Sequence, residues 1–488
     1  MRSNQERLGT WLLSTVLLGT AAVAVGCDDD EDVMESVDGG TSNPNGLLDA
    51  STGSTGGDGG VAQTGNCPAV SARTEEVVPA NITTNTTWTC QKKYVLNSNV
   101  FVKGGATLTI QPGTVVQGSS EGALFITREG KIDAAGTKDA PIVFTSYQAE
   151  GQRKRGDWKG VVLLGNASIN AISKDTVFEG LDPLPEYRFG ALNGVADDAH
   201  NCGRIKYARI EYAGYRIATD KELNGLSLGG CGSTTELDYI QIHGGNDDGI
   251  EFFGGTAGAK HLVLTGNDDD NVDWDLGWRG KLQFVVVQQH GVAASSQAEN
   301  GIEADNDATA FANAPIAKPT IYNLTLIGAN EGTKSRGMLL RRGTQGVLRN
   351  VLVQGFPVGA IDVRDGATVT GTTTGDLTVE NSLFFQNGPG GNTPFPAETG
   401  TGDNDSGFDE NAFFTAAQRQ NRVNVDPLLG APYNVTSPSF APQASSPVTT
   451  GGATPPSDGF FDASATYVGA IGAGADWTVG WTAYPPVR

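Results

Sequence analysis

The sequence predicts an all-β fold, a right-handed parallel β-helix in which short strands stack into a solenoid. Three observations predict it. First, an acidic block recurs 22 residues on: Asp248, Ile250 and Glu251 return as Asp270, Val272 and Asp273, and again, more loosely, as Asn300, Ile302 and Glu303. Second, apolar and polar residues alternate through Gly249-Ile250-Glu251-Phe252 and Asn271-Val272-Asp273-Trp274, the period of a strand and not of a helix. Third, further apolar stretches at 237–242, 261–264, 284–287, 322–327, 347–353 and 379–385 are separated by Gly, Asn and Asp. A unit this short cannot bury its own apolar face, so successive units must stack, each coil bonded to the next at about 4.8 Å.

The 488 residues include 67 glycines and only three methionines, a turn-rich composition that suits one elongated solenoid. The net charge of −22 and the pI near 4.5 argue against nucleic acid as a partner and favour cations and neutral or basic surfaces.

From the N-terminus, residues 1–26 read as an export signal: Arg2 and Arg7 precede an apolar run over 12–25. Ala24-Val25-Gly26-Cys27 resembles the lipobox of bacterial lipoproteins, with Ala24 where leucine is usual. That resemblance implies lipidation of Cys27, attachment to the membrane through this lipid alone, and a place at the outer membrane or cell surface; the alternative is an ordinary secretory signal with an incidental cysteine, and either way the mature protein leaves the cytoplasm. Asp28 resembles an inner-membrane retention signal of some bacteria, which leaves the choice of membrane open. No other apolar run approaches the length needed to span a bilayer. Residues 27–66 read as an acidic tether with no Lys or Arg, a composition that cannot form a core and reaches on the order of 35 Å.

Of five cysteines, assigning Cys27 to lipid leaves four in an oxidising compartment, which predicts two disulfides. Proximity pairs Cys67 with Cys90 and Cys202 with Cys231. Zinc is the alternative, and no Cys-x-x-Cys spacing supports it.

The folded part divides into an N-terminal cap over 67–98, the β-helix over 99–387, and a C-terminal cap region over 388–488, with a short helix near 408–418. Residues 180–203 and 291–320 break the period and read as loops leaving the solenoid. Asn323, Asn350 and Asn381 hold matching positions in successive units, a column that resembles the asparagine ladders of β-helices, with amides bonded along the axis.

The phrases at 106–113, Ala135-Gly136-Thr137, Pro141-Ile142-Val143-Phe144-Thr145-Ser146 and Gly156-Asp157-Trp158-Lys159-Gly160-Val161, with the ending Asp476-Trp477-Thr478-Val479-Gly480-Trp481, resemble uncharacterised β-helix surface lipoproteins of Gram-negative bacteria, some labelled "multidrug transporter". The resemblance implies the fold and a surface location. It implies no chemistry.

Chemistry rests on side-chain direction. In a strand whose Ile250 and Phe252 point inward, Glu251 points outward, and Asp273 and Glu303 follow it in one column. Asp247, Asp248, Asp268, Asp269 and Asp270 lie at the turns entering these strands, so between Asn246 and Asp275 there are eight acids and one Lys. Two like charges about 5 Å apart repel by roughly 3 kcal/mol at an effective dielectric near 20, so the column needs a cation, an Arg or a proton.

Three readings answer that need. Calcium held by Asp247, Asp248, Glu251, Asp268, Asp270, Asp273 and Glu303 suits a cluster of hard oxygen ligands. A charge-balanced stack neutralised by Arg279, Lys281, Arg341 or Arg342 is the second. The third is catalysis by Asp248, Asp269, Asp270 and His290, from a partial similarity to polygalacturonases: Asn246-Asp247-Asp248-Gly249, Asn267-Asp268-Asp269-Asp270, then His290-Gly291. In that family the carboxylates divide into a general acid and a base activating water. Here Gln289 replaces a glycine, and Arg204-Ile205-Lys206 and Arg279-Gly280-Lys281 precede the histidine rather than follow it. The sequence thus points to a lipid-anchored surface β-helix binding extracellular or envelope polysaccharide. Its enzymatic form would be a hydrolase or lyase of the pectin-degrading β-helix type. The reading from another class is a non-catalytic adhesin or structural protein with a calcium-stabilised acidic stack.

Overall fold

Alternation places Ile250 and Phe252 inside and Glu251 and Phe253 outside, and the same alternation in each following unit builds a parallel β-helix. The computed structural model describes residues 67–218, 221–291, 300–397 and 404–487. The export signal, Cys27 and the tether lie outside the described residues. Among the described residues, ten strands from Asn81–Ile82 to Gly359–Val363 form one sheet and sixteen form another, and within both stacks neighbours pair in parallel. Ile250 pairs with Val272 and Val272 with Ile302, so the repeat seen in the sequence is the register of the coils. Leu226, Ile250, Val272, Ile302 and Met338 stack fully buried in the interior. Each such side chain contributes roughly 1.5–3 kcal/mol over an exposed one.

Strands of the larger sheet, such as Gly258–Thr265 and Lys281–Gln288, are long because each turns a corner without breaking. The corner residue adopts a positive φ: Tyr207, Tyr239, His261, Phe284, Asn323, Asn350 and Asn381 form one column, with φ between 44° and 62°. Pairing passes over it, from Lys260↔Gln283 to Leu262↔Val285. Non-glycine residues, and bulky ones above all, enter this region at a cost that the surroundings must offset. Ring stacking does so in the first half. Centroids of Tyr207 and Tyr239 are 4.3 Å apart, Tyr239 and His261 4.1 Å, and His261 and Phe284 4.9 Å. The asparagines at 323, 350 and 381 do form the expected column, but their amides do not bond to one another along the axis. Asn323 Nδ2 donates to the carbonyls of Ala465 and Tyr467, Asn350 Nδ2 to those of Ala453 and Ala465, and Asn381 Nδ2 to Gln420 Oε1.

Those partners belong to a C-terminal strap. Phe395 and Phe414 cover the last coil at Phe384, and the helix Glu410–Phe414 starts on an Asp409 side chain that accepts from Ala412 N. The chain then runs back along the flank, reaching Thr325 with Ala470, His261 with Trp477, Gln241 with Ala483 and Tyr212 with Pro486. The strap gives the outward amides of this flank their hydrogen bonds and packs Ala470 and Ile471 on Val286 and Ile327.

Residues within 67–98 already form strands of both sheets, with Thr74–Val77 paired to Lys92–Leu96 and Asn81–Ile82 to Asn99–Val102. Both expected disulfides are present, Cys67–Cys90 and Cys202–Cys231, with Cα separations of 5.4 and 5.8 Å. Paired in this way, the four cysteines leave no thiolates for zinc. No helix among the described residues is long and apolar enough to cross a membrane.

Candidate cation site on the outward face of the ten-stranded sheet

The outward face of the smaller sheet changes character along the axis. Its first strands present Phe125, Val162 and Leu164, which are covered by Phe178, Tyr187 and Phe189 from the excursion between residues 165 and 200. Register then carries Val162 to Ser227, Ser227 to Glu251, Glu251 to Asp273 and Asp273 to Glu303. Two residues further along each strand, Phe253 opposes Asp275, and Asp305 and Arg341 continue that line. An apolar patch thus gives way to acids, and the acids to arginine.

The turns entering these strands bring in the other carboxylates. Asp248 Oδ1 accepts the backbone N–H of Asp270 one coil on, at 3.0 Å, which ties the two turns together. Carboxylate oxygens then gather in three overlapping groups, each within 4.8 Å: Asp247, Asp248 and Asp269; Asp248, Glu251 and Asp273; Asp270, Asp273 and Glu303. Calcium binds oxygen at 2.3–2.6 Å, so oxygens about 5 Å apart are the span that one ion bridges. Asp248, Glu251 and Asp270 are 7%, 8% and 5% exposed, too little for solvent to neutralise them. Glu251 is held by Asn224, whose Nδ2 donates to Oε2 at 2.5 Å. Asp270 Oδ1 and Asp273 Oδ1 are enclosed and make no hydrogen bond. The Asn300 amide lies near enough to favour the charge on Asp270 without reaching hydrogen-bond geometry.

Burial, and then the neighbouring carboxylates, push Asp248, Glu251, Asp270, Asp273 and Asp275 well above the usual carboxylate range. Glu303 is also raised by burial, against the opposing pull of Arg341. Arg341 and Arg342 close one end of the stack: Arg341 bonds Glu303 and, through Nε at 2.8 Å, Asp305, while Arg342 Nη1 reaches the other oxygen of Asp305. The other two cations expected there are engaged elsewhere, Arg279 with Asp198 and Ser168, and Lys281 with Asp458.

Residues 80–421 match the family model described as a pectate-lyase-like β-helix domain. The chain belongs to this family. No curated protein and no solved structure matches it.

Within this pectate-lyase-like β-helix the expected site residues part company. Asp247, Asp248, Glu251, Asp269, Asp270, Asp273 and Glu303 come together. Asp268 does not join the three groups, because it turns to Arg155 at 3.4 Å, and Arg155 also donates twice to the Gly266 carbonyl. His290 does not join them either. Its ring fills the space over Gly266, where a Cβ would meet Nδ1 at 2.7 Å, and lies 5.7 Å from the His243 ring. Burial, His243 and Arg155 lower its pKa to about 3, so it is neutral at pH 7. Asp248, Asp269 and Asp270 thus gather in these groups without His290. Sequence reasoning missed Asp275 and Asp305, although each stands two residues after a recognised acid and so must share its face. It also missed Arg155, which nothing in the repeat announces.

Proposed function

We propose that this protein is a calcium-dependent polysaccharide-binding β-helix of the cell envelope, with the acidic stack as its cation site. The observation that carries the cation is the set of three linked carboxylate groups whose buried oxygens on Asp270 and Asp273 lack any hydrogen bond. An all-oxygen set without thiolate or imidazole selects calcium over zinc or copper. The polysaccharide is supported by membership of a family described as pectate-lyase-like. Attachment through a lipid on Cys27, and hence a place at the outer membrane or cell surface, belongs to the same proposal. The depth of Asp248 and Asp270 favours binding over hydrolysis, since a carboxylate so enclosed reaches an ion and not a sugar ring.

A second reading has its own observation. Arg341 and Arg342 already balance Glu303 and Asp305, as a stack in a non-catalytic adhesin would require. One experiment separates the two. The intact protein is screened against neutral and acidic polysaccharides with calcium and with chelator, and released reducing ends are measured. Calcium-dependent retention on a polysaccharide, weakened at least tenfold by Asp270→Asn, supports the proposal. Failure to bind any polysaccharide with calcium present gives the lead to the adhesin reading.

A further inference from the structure

We infer that a groove on the flank of the larger sheet, beginning where the C-terminal strap ends, docks an extended polypeptide segment of a partner protein. On this flank the outward amides grip the strap's backbone as a neighbouring strand would. Gln241 Nε2 donates to Ala483 O at 2.7 Å while Oε1 accepts from Ala483 N at 2.9 Å. Gln283 makes the same pair of bonds with Asp462, at 3.1 and 2.7 Å. Asn350 makes it with Ala453, at 2.9 and 2.7 Å. The described strap stops beside Tyr212 and Gly244, but the flank continues toward the N-terminal coils.

There the surface is a groove of about 730 Å³, walled by residues 69–71 on one side and by the 147–153 loop on another. Its line of outward positions runs from Gln117 to Thr145, Glu211 and then His243, the last of which holds Pro485 O. Gln117 shares that line with His243 and, two coils further on, with Gln288, whose side chains hold strap carbonyls at Pro485 and at Pro432 and Asn434, whereas Gln241 stands on the neighbouring line, with Val115 and Val143. It is 7% exposed, its Oε1 makes no hydrogen bond, and its Nε2 has only a long 3.5 Å contact with Ser146 O. A primary amide enclosed in this way is costly unless a ligand supplies both a donor and an acceptor. A peptide backbone supplies both, as the strap shows three times on the same flank. Glu211 does not compete for the amide, since Thr145 Oγ1 and Arg209 already engage it.

Val115 and Val143 form an apolar floor, and Tyr147, 44% exposed, stands at the rim. The groove crosses five strands, about 19 Å at 4.8 Å per step, which an extended chain of about six residues spans. The partner is therefore a strand-like segment with small apolar side chains over the two valines, held by backbone bonds to Gln117.

The test places such a segment at high effective concentration. Six residues, Ala-Thr-Val-Thr-Val-Ala, are appended to the C-terminus of the full chain, and hydrogen exchange of their amides is followed. The expected result is exchange slowed at least tenfold relative to the free hexapeptide, with the protection lost in Gln117→Ala. Appended amides that exchange at the free-peptide rate overturn the inference, as does protection that survives Gln117→Ala. A hexagalacturonide that protects the 147–153 loop when the appended segment does not would make the groove a glycan site and would equally overturn it.

Discussion

Arg341→Ala is expected to cost about 3 kcal/mol of stability in the absence of added cation. Removing one partner of a buried pair leaves the other charge uncompensated, a loss of about 3–5 kcal/mol where burial is complete. The Arg341 side chain is 23% exposed and Arg342 still reaches Asp305, so the lower end applies. The loss falls on Glu303 and Asp305, which would then repel Asp273 without the guanidinium between them. Arg341→Lys recovers little, because a point charge cannot reproduce bonds from Nε and Nη2 to two carboxylates. Calcium restores more stability to Arg341→Ala than to the parent protein, since the vacated charge is one that a cation supplies. Urea unfolding with and without calcium measures both effects. A change below about 0.5 kcal/mol, indifferent to calcium, would show that the arginine does not balance the stack.

Much of this arrangement was legible in the sequence because a strand's side-chain period is two and the coils stack in register. The 22-residue offset that relates Asp248 to Asp270 places their turns one above the other, and Glu251, Asp273 and Glu303 fall into the column that alternation requires. The paired glutamines, the corner column and the strap were not legible to the same degree. Tyr207, Tyr239, His261 and Phe284 occupy a backbone region where aromatic residues are rare, so only the asparagines at the end of their column stood out in the sequence, and as a ladder rather than a corner. The strap has no repeat and little alternation. Its course follows from bonds between residues more than a hundred positions apart, such as Gln241 with Ala483. The position of the His290 ring was not legible for a related reason. A short motif fixes position along a coil, whereas the gap over Gly266 decides where the ring goes.

The second large effect concerns protons and calcium together. Asp248, Glu251, Asp270, Asp273 and Asp275 have folded-state pKa values well above their unfolded values near 4. Between those limits the folded chain binds more protons than the unfolded one. The contribution of these groups is therefore fully favourable below about pH 4 and is lost as pH rises through the raised folded values. A divalent cation competes with the same protons, so calcium is expected to stabilise the protein more at pH 8 than at pH 5 and to release protons as it binds. At a calcium concentration a hundredfold above Kd the gain is about 2.7 kcal/mol for one site.

Thermal melting of the chelated protein, with and without calcium at pH 5 and pH 8, tests the cation site most directly. The predicted result is a rise in Tm of several degrees with calcium at pH 8, a smaller rise at pH 5, and a response blunted by Asp270→Asn. Equal Tm with and without calcium at both pH values, in the parent protein and in Asp270→Asn alike, would contradict it.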